Sequence, residues 1–74
     1  MHYQHVMDHS GHSTHPFDET NTVSVKEAEA RFKELTGRGF VAAERFLSGT
    51  DRHHVKAFDP AAEDTLFIPQ RAGG

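Results

Sequence analysis

From Ser24 onward the chain carries a regular pattern of apolar and polar positions; before Ser24 it carries none. Val25, Ala28, Phe32 and Leu35 recur at spacings of three and four residues, which sets them on one face of an amphipathic helix. Ser24 followed by Glu27 has the form of a capping box, in which the hydroxyl and the carboxylate each satisfy a free backbone amide. Glu27 with Arg31 and Glu29 with Lys33 are i,i+4 pairs in the favourable order on the solvent side. Gly37 or Gly39 can take the left-handed conformation that ends a helix. The pattern predicts a helix of about three turns starting at Ser24.

The next segment, "GFVAAERF", is rich in Phe and Val and bounded by glycine, and predicts a strand. "LSGTD" predicts a turn with Gly49 at positive φ, and "RHHVKAF" the returning strand, so residues 40–58 form a hairpin. Asp59-Pro60 pairs a cap residue with a proline suited to the first helical position, predicting a single helical turn through Glu63. "TLFIP" is a third strand, closed by Pro69. The fold class expected is α+β: one amphipathic helix packed on a small, largely antiparallel three-stranded sheet, in the order α-β-β-β. Phe32 and Leu35 are expected to pack against Val41, Val55, Phe58 and Leu66 or Ile68.

Residues 1–22 read differently. Apart from Met1 they hold only Tyr3, Val6, Met7 and Phe17 as large apolar side chains, and Ser10-Gly11 and His15-Pro16 interrupt regular structure. That content is too low to offset ordering entropy, which predicts a disordered histidine-rich arm over 1–22, a domain over 23–69 and a mobile tail over 70–74.

Composition narrows the classes. Of 74 residues 35% are hydrophobic and none is cysteine, so the core is small and disulfides, thiolate metal sites and a cysteine nucleophile are excluded. The net charge is -3. Asp8, Asp18 and Glu19 face no Lys or Arg in the first 22 residues, while acids and bases balance over the rest. With no basic field, nucleic acid is not an expected partner. No apolar run approaches a membrane span or a signal sequence, so the expectation is a soluble cytoplasmic protein.

Candidate chemistry concentrates at the two ends. After Pro69 come Gln70, Arg71, Ala72, Gly73 and Gly74, with no side chain large enough to anchor them. Gly73-Gly74 has no Cβ atoms and threads channels closed to other dipeptides. Its α-carboxylate is unhindered and open to adenylation by an ATP-using enzyme, which would make the chain cargo and not catalyst. "EDTLFIPQRAGG" resembles the last strand and tail of the β-grasp sulfur carriers, the small subunit of molybdopterin synthase and the thiamine sulfur carrier, and ubiquitin-like modifiers share that Gly-Gly end. The features that correspond are Glu63-Asp64, Leu66-Phe67-Ile68, Pro69 and Gly73-Gly74; Gln70 stands where the carriers have a second proline. The resemblance implies an adenylating enzyme as partner, Gly73 and Gly74 as the carrier tail, and a β-hairpin ahead of the helix. That last implication conflicts with the arm predicted from composition.

At the other end, His2, His5, His9, His12 and His15 recur every three or four residues, and imidazoles so placed are candidate ligands for Zn, Cu or Ni. A helix would align them, although Ser10, Gly11, Ser13 and Thr14 favour no helix. His53 and His54, adjacent on a strand, must point to opposite faces and cannot act as a pair. The remaining carboxylates are expected on the helix surface or in turns, and Gly37-Arg38-Gly39 is a helix stop, not a phosphate loop. The expectation is a non-enzymatic protein with no cofactor. The expected function is a Gly-Gly-ended carrier or modifier, or alternatively a small protein-interaction module using a sheet face or an edge strand, with a histidine-rich metal-binding protein as the third alternative.

Overall fold

A computed structural model of the chain describes residues 1–46 and 52–70. Its elements are β1 (His2–Asp8), β2 (Gly11–Phe17), α1 (Thr22–Gly37), β3 (Phe40–Arg45), β4 (His53–Val55) and β5 (Asp64–Pro69). The strands form one sheet in the order β2-β1-β5-β3-β4. β1 and β5 run parallel at its centre, and every other pair is antiparallel. The α+β class holds, but the three-stranded antiparallel sheet in the order α-β-β-β does not. The helix follows two strands, and the sheet has five strands of mixed direction.

The missing strands are the stretch expected to be a disordered arm. In β1, His2, Gln4 and Val6 face the helix and are buried, so two polar side chains stand where a hydrophobic pattern would place apolar ones. Each is satisfied. Gln4 Nε2 donates to the Ala28 carbonyl and Gln4 Oε1 accepts from Arg31 Nη1, both at 2.9 Å. His2 Nδ1 donates to the Ala62 carbonyl at 2.6 Å, and its ring stacks on Phe17 with centroids 5.3 Å apart. A buried polar group with partners costs little. The β1–β2 turn is tied by Asp8, whose Oδ1 accepts from the Ser10 amide and hydroxyl, and it passes through Gly11 at φ 126°. β2 is a sheet edge, where a polar strand carrying Pro16 is tolerated.

The helix begins earlier than the capping box implies. Asn21 is the N-cap, its side chain accepting from the Ser24 amide at 3.1 Å, while the Ser24 hydroxyl accepts from the Asp18 amide at 2.9 Å. Ala28, Phe32 and Leu35 are buried as expected, and the helix ends at Gly37 with Gly39 at φ 97°. Lys33 lies 3.9 Å from Glu29, whereas Arg31 is drawn to Gln4.

The core is Val6, Phe32, Leu35, Ala42 and Phe67, flanked by Phe40, Val55 and Phe58. Val55 and Phe58 take their expected places. Val41, Leu66 and Ile68 do not: they occupy the sheet's other face, one residue out of phase with Ala42 and Phe67. The third-strand pattern is apolar on both faces, so its alternation could not fix which face is inward. The single turn of helix expected after Pro60 is a tight turn, with the Ala62 amide bonded to the Asp59 carbonyl and the Ala61 amide to the Asp59 side chain. Among the described residues no helix is long and apolar enough to cross a membrane.

Candidate functional site

β5 is the strand that leads into the tail, and it is paired on both sides. It lies between β1 and β3, with Thr65 and Phe67 buried against the helix side. At its start, Asp64 is 9% exposed and sits between two guanidinium groups. Arg45 Nη2 donates to Oδ2 at 2.9 Å, and Arg52 Nη1 lies 2.8 Å from Oδ1, off the line of a hydrogen bond. Burial alone would raise the Asp64 pKa, but Arg45 and Arg52 outweigh it and hold the carboxyl below its ordinary value. At its far end the Gln70 amide donates to the Gly39 carbonyl at 3.1 Å. Gly73 and Gly74, the expected carrier tail, lie outside the described residues.

Beside that strand the sheet's outer face carries an apolar strip. Tyr3 and Met7 come from β1, Leu66 and Ile68 from β5, and Val41 from β3. Tyr3, Met7 and Ile68 are 39%, 42% and 44% exposed, and Val41 and Leu66 are half-buried. The Arg45–Asp64–Arg52 cluster bounds the strip at one end. His5 lies on the same face, its ring parallel to Tyr3 and its Nδ1 3.1 Å from the Thr14 hydroxyl. Tyr3 and Met7 were missed as surface residues because β1 was not recognised.

The five N-terminal histidines do not share a face. The strand's two-residue period sends His2 and His15 to the helix side and His5 and His12 to the outer side, and leaves His9 in the turn. The helical alignment that would gather them is absent. Among the described residues no group of three or more His, Cys, Asp or Glu side chains is placed to hold a metal ion. The His15 pKa is lowered by burial, with Arg31 adding to the shift. His53 and His54 do point to opposite faces, opposite Glu44 and Ala43.

Glu44 departs from the expectation that the carboxylates are solvated. It is 1% exposed on the helix side of β3, where its Oε2 accepts from the Asp59 amide at 3.2 Å. Desolvation raises its pKa, opposed by that hydrogen bond and reinforced by the Asp59 charge. Compared with protein-family models, with curated proteins and with solved structures, the chain matches none.

Proposed function

We propose that the chain is a β-grasp carrier or modifier whose working group is the Gly74 carboxylate. The observation that carries this reading is the parallel pairing of β1 with β5, between Tyr3 and Asp64 at one end and Val6 and Phe67 at the other. Together with the antiparallel β1–β2 pairing, it gives the two features that the resemblance of "EDTLFIPQRAGG" to the sulfur carriers calls for: a hairpin ahead of the helix, and a central strand beside the last one. In the reaction proposed, a Gly74 carboxylate oxygen attacks the α-phosphorus of ATP and pyrophosphate leaves. The resulting acyl-adenylate passes the acyl group to a thiol, sulfide or amine with release of AMP. Gly73 and Gly74 present no side chain to obstruct entry into the partner's channel.

The test is incubation with ATP and an adenylating enzyme of the β-grasp carrier class, read by intact mass. An AMP adduct at Gly74 is expected, and it should disappear in Gly73→Val or when one residue is appended after Gly74. An unmodified chain beside an enzyme active on its own carrier would refute the reading. So would a natural product that continues past Gly74 without processing.

The outer face favours a second reading, a protein-interaction module that docks through its sheet. Tyr3, Met7 and Ile68 form an exposed apolar strip of the kind that marks partner surfaces. Ile68→Asp should abolish partner capture without unfolding the chain. In a module, capture survives appending a residue after Gly74; in a carrier, acyl transfer does not.

A further inference from the structure

We propose that the open end of β3 binds an extended acidic peptide of a partner protein, which adds to the sheet as a strand beside Phe40. The inference depends on neither reading of the tail.

Gly39 offers its carbonyl to Gln70, on the β5 side. Main-chain groups along a strand alternate in direction, so the Phe40 amide and carbonyl point the opposite way, toward the β4 side. β4 covers β3 only from Ala42 to Glu44, where its Val55 and His53 pair, and has no residue opposite Phe40. Phe40, the first residue of β3, therefore presents one donor and one acceptor without a strand partner among the described residues. An unpaired strand edge of this kind is a template for a further strand.

Around that edge lies a groove of about 340 Å³, lined by Thr36, Phe40, Val55, His54, Lys56 and Gln70 among others. Its size is at the lower end of ligand pockets, which run from about 300 to 1,000 Å³. Phe40 and Val55 supply an apolar floor, and no Asp or Glu lines it. Its ionisable groups are Lys56 and His54, and the Arg38 guanidinium stands 5.7 Å from the Phe40 ring centroid. In a chain of net charge -3 this edge is a local basic site, complementary to carboxylates. A second copy of the chain is a poor occupant, because pairing like edges would set Lys56 and Arg38 against their counterparts. The opposite edge, β2, includes Pro16, which has no amide to donate.

The experiment titrates the ¹⁵N-labelled full chain with the capped heptapeptide Ac-DEVTVDE-NH2. Amide shifts are expected at Phe40, Val55, Lys56 and Gln70, with slowed hydrogen exchange at Phe40. Ac-KKVTVKK-NH2 should not bind. Neither should the acidic peptide N-methylated at alternate residues, which keeps its charge but loses strand pairing. Lys56→Glu, an exposed position, should weaken binding about twofold to fivefold, the size of one exposed ion pair. Four results would each overturn the proposal: no shifts at about 1 mM peptide, an equal response to the lysine peptide, full binding by the N-methylated peptide, or shifts centred on Tyr3, Met7 and Ile68.

Discussion

Glu44 is 1% exposed, so folding removes water from its carboxyl group, and the one backbone amide that it accepts from opposes that cost only in part. Its folded pKa is raised, so its proton is held more tightly in the folded chain than in the unfolded one. The associated stability is complete below the ordinary value near 4.5 and is lost as pH rises through the raised folded value. Glu44→Gln should therefore melt with wild type in acid and at a higher temperature than wild type at neutral pH, as followed by circular dichroism across pH. Asp64 has the opposite sign. Its folded pKa is lowered, so its contribution is present above the ordinary carboxylate value and disappears as pH falls through the folded one. Asp64→Asn should cost about 1.5–3 kcal/mol at neutral pH, the scale of a hydrogen bond to a charged group, and much less in strong acid. Gln4→Ala should cost about 1–3 kcal/mol in urea titration, because it removes the buried bond to the Ala28 carbonyl and takes from the Arg31 guanidinium its Gln4 acceptor.

At the scale of elements, what the pattern made legible was whatever buries one apolar face. The helix face of Ala28, Phe32 and Leu35 and the antiparallel pairing of β3 with β4 follow the sequence closely. Phe32 meets Phe58 and Phe67 with ring centroids 6.0 and 5.6 Å apart, and Phe32→Ala should cost about 3–5 kcal/mol. For a core this small that predicts a largely unfolded chain at 25 °C by near-UV circular dichroism. β1 was illegible because its inward positions are His2, Gln4 and Val6, and nothing local announces that a carbonyl of the helix and an arginine one turn on will satisfy a glutamine. β2 was illegible because Phe17 is its one buried residue and its order comes from pairing with β1. Deleting residues 1–20 should therefore abolish the dispersed amide spectrum of residues 25–68. A deletion variant that kept its dispersion would show the hairpin to be an appendage.

For the whole molecule, the candidate site divides the same way. The tail glycines, Gly73 and Gly74, are a reading of the sequence alone, because they lie outside the described residues. The apolar strip on the sheet's outer face was not legible there, because Tyr3 and Met7 join Leu66 and Ile68 only through a pairing across some sixty residues of chain. The histidine repeat misled for a related reason: spacings of three and four imply one face on a helix, and on a strand they scatter.

The parallel pairing of β1 with β5 also governs the order in which the molecule can assemble. The strand nearest the start of the chain has its central neighbour in Asp64–Pro69, so a ribosome must deliver almost the whole sequence before the middle of the sheet can close. Contacts this distant raise contact order and slow folding relative to a helical chain of equal length. During that interval the β1–β2 hairpin is a lone pair of strands, marginal in water, with one edge waiting. Its many histidines and hydroxyl side chains, poor in a core, suit a segment that must stay solvated until its partner is made.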